Sequence, residues 1–220
     1  MTNYLNEKNL IFELVHFIRN KDIFSTTVRS VTTATNTGTF TGATTHTIAV
    51  TNIKNIRSIV VGSTTLKFGT DYTYDLDFLE TTIKTKITFT NAQTGAYVIT
   101  YDYGTDKIFP DFPKTELTIS NFPRIAVDVV SINTTPAGLG NQNKNEIIFT
   151  VVIYSANIDA LRDYSTNLRK EIIDNQLTFY YLGEYIRPLL VGPIIVSENK
   201  KDKIFQQNLD FIAPVKFELN

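Results

Sequence analysis

The 220-residue chain has no cysteine and no tryptophan, one methionine and only two histidines. Without cysteine there is no disulfide framework, thiol nucleophile, cysteine-bound zinc or iron–sulfur cluster, and the redox compartment leaves no mark on the sequence. His16 and His46 are too few for a histidine metal cluster, and neither stands in a pattern with a nucleophile. A surplus of positive charge is missing as well. The 21 Lys and Arg against 22 Asp and Glu give a formal net charge of −1, which argues against a coat wrapped on nucleic acid. Long apolar runs are lacking too: the stretch from Ile186 to Val196 is broken by Arg187, Pro188, Gly192 and Pro193 and is too short to span a bilayer. Met1 to Glu7 lacks a basic segment leading into an apolar one, so no secretory signal is expected there. The expectation is a protein made and kept in the cytosol, or assembled there into something larger.

What is present suffices for a folded core, with 42% hydrophobic and 12% aromatic residues. Leu10, Leu14, Phe17 and Ile18 fall on one stripe and predict a helix ending near Asn20, with Asn3 or Asn6 as N-cap. From Thr26 to about Gly104 the pattern turns to short strands, dense in β-branched threonine. Residues 45–50 and 56–61 read as strands, and Gly62-Ser63 as a tight hairpin turn. Residues 83–89 and 97–103 are expected to pair through a turn at 91–95, with no helix interrupting the module. Farther on, 115–119 and 124–132 read as strands, 133–145 as a Gly- and Asn-rich loop, and 146–154 as a buried strand. Asn157 caps a predicted helix over 158–175, in which Ile158, Leu161, Ser165, Leu168 and Ile172 recur at helical spacing. Residues 189–197 and 209–219 close the chain as strands, with Pro214 placing the last at an edge or bulge.

The fold class expected is therefore α+β: a body of residues 1–26 and 105–220, with two helices packed on a sheet, interrupted by an inserted all-β, Ig-like sandwich module over 27–104. The body's helices need a partner surface, because a lone amphipathic helix is unstable, and one sheet face suits both.

Chemistry-bearing motifs are scarce. Asp71, Asp75, Asp77 and Glu80 surround Tyr72 and Tyr74, but the spacing lacks the Gly and the terminal Glu of a calcium loop. Lys200-Lys201-Asp202-Lys203 reads as a hairpin tip. Gly138 and Gly140 are followed by no Lys-Ser/Thr pair and are not a phosphate cradle. Neither a nucleophile elbow nor a zinc-protease motif occurs. An enzyme is not expected, and no catalytic residue, cofactor or metal is assigned.

Two stretches carry a likeness. Asn121 to Val127, a loop, then Glu146 to Tyr154 and the helix to Gln176, together with Gln206 to Glu218, resemble the tail-terminator (tail-completion) proteins of tailed phages. The resemblance is one of element order and not of a signature motif. It implies a structural virion protein that forms a hexameric ring, closes the head-proximal end of the tail tube and joins it to the neck or connector. The implied partners are other copies of itself, the tail-tube protein and neck or connector proteins, and a sheath where the tail is contractile. DNA would pass through the ring without sequence-specific binding, and no membrane is involved. The implied location is the tail or neck of the virion, assembled in the host cytoplasm. Tail terminators typically lack an inserted module, and residues 27–104 resemble β-sandwich insertions of phage and surface proteins. Interface positions expected for the ring are Gly138, Leu139, Gly140 and Asn141 in the loop, Ile148 and Val152 on the strand, and Leu161 and Leu168 on the helix. The alternatives are another head–tail connector or tail-tube component, or a carbohydrate-binding or adhesion module with Tyr72, Tyr74 and Tyr103 exposed in a groove.

Overall fold

A computed structural model describes residues 7–74, 84–110, 122–136, 143–199 and 202–215. The chain is mostly β, with few helices and two open sheets. Helix α1 (Glu7–Asn20) and the single turn α2 (Thr26–Arg29) precede β1 (Val31–Thr51), β2 (Ile53–Val61), β3 (Thr64–Leu66), β4 (Tyr72–Tyr74) and β5 (Lys84–Gly104). Then come β6 (Ile108–Phe109), β7 (Arg124–Pro136), β8 (Asn143–Ser155), α3 (Ile158–Asp174), β9 (Arg187–Val191), β10 (Ile195–Asn199) and β11 (Asp202–Pro214). Contacts divide the chain into two compact units: Phe24–Asp106, and the flanking segments up to Ile23 and from Lys107.

The unit Phe24–Asp106 is one five-stranded sheet in the order β1-β5-β2-β3, with β4 also on β5. Its long strands correct the expected hairpin at 91–95. β5 runs unbroken for 21 residues, so 83–89 and 97–103 do not pair with each other; the described parts are two halves of one strand. Each half pairs with β1: Val31–Phe40 lies against Gly95–Gly104, and Thr45–Thr51 against Lys84–Thr88. The physical reason lies at the midpoint, where Gly42 (φ +67°) and Gly95 (φ +123°) let both strands bend together. There Ala43 pairs with Gln93 and the Gly42 N–H donates to Thr94 Oγ1 at 3.0 Å, so Gln93 and Thr94 meet partners on β1 and the chain needs no reversal. The Gly62-Ser63 turn is present, joining the Val61–Thr64 pair with Gly62 at φ +60°. A single helical turn, α2, precedes the strands, where Ser25 Oγ accepts from the Val28 N–H at 3.3 Å and caps it; among the described residues no helix interrupts the strands themselves.

Aromatic packing fills this unit. Phe40 stacks on Tyr97 with centroids 4.0 Å apart, edge-on to Phe89 and His46. Gly38 lies under the Tyr97 ring, whose oxygen would stand 2.8 Å from any added Cβ. His46 is pushed below its ordinary pKa by burial; its Nε2 lies 3.0 Å from Asn36 Oδ1.

The two ends of the unit are tied by buried charge. Arg29 is fully buried. Its Nη2 and Nε donate to Asp106 at 2.8 and 3.1 Å, and its Nη1 to Asp102 at 3.0 Å. Asp102 also accepts from Arg57 Nε and Thr33 Oγ1, both at 2.7 Å. Burial alone would lower the Arg29 pKa, but the bonds and charges of Asp106 and Asp102 outweigh it and the net shift is upward. Because these ties are internal to residues 24–106, that segment expressed alone is expected to fold as an all-β unit. Replacing it by a short Gly/Ser linker should leave a folded remainder. Circular dichroism and light scattering check both; an unfolded fragment together with an aggregating remainder would show that the strands belong to one continuous core.

The second unit is built on a six-stranded sheet ordered β10-β11-β8-β7-β6, with β9 also on β11. The register aligns Ile125 with Ile153, Val127 with Val151 and Phe211 with Phe149, so one face is mainly apolar, with Gln207 opposite Ile153 and Ser155 opposite Phe205 as polar exceptions. Helix α1 packs against β6 and β7, and α3 against β8 and β11. Leu10, Leu14, Val15 and Ile18 of α1 are fully buried, as are Leu161, Leu168 and Ile172 of α3. Each such side chain stabilises by about 1.5–3 kcal/mol. Asn157 caps α3 by accepting from the Asp159 and Ala160 N–H groups at 2.8 and 3.0 Å. Polar ties set α1 in place: Arg19 Nη2 donates to the Ile108 carbonyl at 2.6 Å, and Glu13 accepts from the Tyr180 and Tyr181 N–H groups. Lys21 Nζ donates to Asn175 Oδ1 at 2.6 Å, joining the ends of the two helices.

Three expectations for this unit are corrected. The loop read over 133–145 is shorter: the ladder continues through Asn133–Glu146 to Pro136–Asn143, because β-branched Thr134 and Thr135 suit a strand and Pro136 sits at the ladder's end. The strand read at 189–197 is split by Gly192-Pro193-Ile194 into β9 and β10, both on β11. The last strand begins earlier, at Asp202. The strand expected at 115–119 lies outside the described residues.

Candidate functional site

The outstanding surface feature is the pair of free edges of the six-stranded sheet. On one side β9 and β10 pair with β11 only, and no described strand covers their outer side. Leu189, Leu190, Val191, Ile195 and Val196 on this edge are 42–55% exposed. On the other side β6 covers β7 at Ile125 and Ala126 alone, leaving the rest of β7 without a partner on that side among the described residues. Val130, extruded where the register shifts between Val129 and Ser131, is 61% exposed, and Ile132 is 40% exposed. Edge strands present unpaired N–H and C=O groups and are ordinarily blunted by charge or proline. Pro188 and Pro193 interrupt the first edge and Arg187 stands at its start, but Leu189 to Val191, with Ile195 and Val196, expose apolar side chains, which suits burial against another chain.

The expected interface residues fall in three groups. Gly138, Leu139, Gly140 and Asn141 lie outside the described residues. Val152, Leu161 and Leu168 are buried within the chain at 0–1% exposure, so they support the surface and present none of it to a neighbour; Ile148 is half-buried. Helical and strand periodicity identified them correctly as apolar, and apolar periodicity marks the core before it marks an interface. The exposed edge residues were visible only as strand-like sequence, because exposure depends on what lies beside a strand.

The other candidates resolve into structural roles. Asp71 Oδ2 accepts from the Lys67 N–H at 2.7 Å and closes a turn; Asp75, Asp77 and Glu80 lie outside the described residues. Tyr72 and Tyr74 are buried at 2% and 5% exposure. Tyr74 Oη donates to Asn55 Oδ1 at 3.2 Å, and burial pushes the Tyr72 hydroxyl well above its ordinary pKa. The aromatic groove of a carbohydrate site is therefore corrected: these rings face the core, where strand alternation puts them, and Tyr103 is half-buried. His16 lies beside Asn20 at one turn's spacing. On the sheet face away from the helices, Thr150 Oγ1 donates to Asp210, whose pKa is raised by burial. Among the described residues no group of three or more His, Cys, Asp or Glu is arranged to hold a metal. The Arg29–Asp102–Asp106 cluster gave no sequence signal, since its members are 73 and 77 positions apart.

No helix among the described residues is long and apolar enough to cross a membrane. No protein-family model matches the sequence, and no curated protein matches it. Among solved structures, a chain from the virion of a native gene transfer agent particle is similar over 50% of this chain and 79% of its own, at 11% identity and a TM-score of 0.29. At that level neither a common fold nor a common role follows.

Proposed function

We propose that the chain is a structural subunit of a virion, forming a six-membered ring at the head-proximal end of a phage tail, where it closes the tube and meets the neck or connector. The observation that carries this reading is an open sheet whose two edges, among the described residues, expose different apolar side chains: Leu189 to Val191, Ile195 and Val196 on one, Val130 and Ile132 on the other. Two unlike edges allow copies to join head to tail, and a head-to-tail contact that closes generates a ring. The sequence resemblance to tail-terminator proteins supplies the location; the helix, the strand–loop–strand and the second helix on a sheet support that reading, and the inserted unit departs from it. A non-enzymatic role fits the shortage of chemistry-bearing motifs.

Native mass spectrometry of the purified chain at high concentration tests the stoichiometry. A six-copy species is expected; a discrete five- or twelve-copy species would contradict it. The Gly- and Asn-rich segment between β7 and β8 is assigned to contact with the tube or neck. Deleting residues 138–141, which leaves two residues to turn between Pro136 and Asn143, should preserve the circular dichroism spectrum and sharply reduce the yield of joined tails. Normal particle yield would remove that segment from the interface. Another head–tail connector or tube component would use the same edges, and its position in the particle separates it from a terminator.

A further inference from the structure

Helix α3 carries Arg162, Ser165, Thr166 and Arg169 at spacings of three, four and seven, so they form one stripe. That stripe lines a cleft of about 140 Å³, closed on its other side by Val191, Gln207 and Leu209. Ser165 is 6% exposed, and its Oγ has no hydrogen-bond partner. Buried hydroxyls nearly always have one, commonly a carbonyl one turn earlier in the helix. The arginines on either side are only lightly engaged. Arg162 Nη1 approaches the exposed Asp159 at 3.4 Å, and Arg169 has no carboxylate partner among the described residues. An orphaned donor between two guanidiniums is a site arranged for an oxyanion.

We propose that this cleft takes a glutamate or aspartate side chain from an extended segment of a partner protein. The carboxylate oxygens accept from the Ser165 hydroxyl and the two guanidiniums, while the segment's backbone runs along the free edge of β9. The choice of a protein carboxylate over a nucleic-acid phosphate rests on the cleft's surroundings. Val191 forms one wall, and Leu189 and Leu190 stand exposed beside it. Apolar side chains beside a strand edge receive an extended peptide, with backbone bonds giving affinity and alternate side chains giving specificity; a hydrated phosphodiester backbone gains nothing from them. This inference shares the β9 edge with the ring reading, and within a ring the segment belongs to the neighbouring copy; peptide binding by the single chain does not depend on whether a ring forms.

The test uses the full chain and a short, capped, fluorescent peptide of alternating valine and threonine with one central glutamate. Fluorescence anisotropy is expected to show saturable binding, weaker by about tenfold or more when the glutamate is replaced by glutamine. Combining Arg162→Gln with Arg169→Gln should remove that preference without moving the melting temperature, because both side chains lie at the surface. Ser165→Ala should lower affinity for the glutamate peptide while keeping or raising the melting temperature, a pairing that a purely structural serine would not give. The proposal is overturned by equal binding of the two peptides or by no binding of either. It is also overturned if inorganic phosphate or duplex DNA binds more tightly than the glutamate peptide and loses that binding in the double arginine variant.

Discussion

Changing Leu189 and Ile195 together to lysine is expected to abolish self-assembly while leaving the fold unchanged. Both residues are about half exposed in the single chain, at 54% and 49%, and substitutions at such positions ordinarily alter stability by no more than about 0.5 kcal/mol. Their effect on assembly is of another size. Pairing the β9–β10 edge with a second chain would bury both side chains, and lysines on an edge are among the commonest means by which proteins prevent such pairing. An unpaired charge trapped in an interface costs on the order of 3–5 kcal/mol, which is roughly two to four powers of ten in association. Sedimentation velocity and circular dichroism on the double variant check the two halves of the expectation. Unchanged assembly would remove this edge from the interface. A lost fold would show instead that the edge is part of the core.

The largest effect on stability is expected from Arg29→Met. The substitution keeps the bulk of the buried side chain and removes the charge that holds Asp106 and Asp102. Asp102 retains Arg57 and Thr33, but Asp106 loses both of its Arg29 bonds. Breaking a buried pair from one side costs about 3–5 kcal/mol, a large part of the 5–15 kcal/mol that typically separates folded from unfolded chains. For a unit of this size each kcal/mol moves the midpoint by about 4–8 °C, so residues 24–106 should melt at least ~12 °C lower. Combining Arg29→Met with Asp106→Leu should recover part of the loss, since the buried carboxylate that lost its two Arg29 bonds is then gone as well. Calorimetry decides: an unchanged midpoint in the single variant would mean that water reaches the cluster and that the charges do not hold the ends of the unit together.

How far the sequence could be read depended on whether a feature is local. Helix α3 was legible because Asn157, Leu161, Leu168 and Ile172 state its start, its face and its length within one segment. The Gly62-Ser63 turn was legible for the same reason. The path of β5 was not, because Asn91 to Gly95 has the composition of a turn, and only Gly42 and Thr94, 52 positions apart, explain why the strand bends and continues. Thr134 and Thr135 read as loop beside Pro136, Gly138 and Gly140, although β-branched residues favour the ladder they join. For the candidate site the limit is sharper still. Leu161 and Leu189 are both leucines in regular structure, and nothing along the chain tells that the first faces a sheet and the second faces solvent. The buried charges of Arg29, Asp102 and Asp106 belong with these, since long-range ion pairs have no spacing to detect.

The proposed ring is tested most directly by reconstructing, with electron cryomicroscopy, the particle that contains this chain. Six copies around the tail axis at its head-proximal end are expected, with the β9–β10 edge of each buried against a neighbour. A five-fold or twelve-fold ring, or copies placed off the axis with that edge still open to solvent, would contradict it.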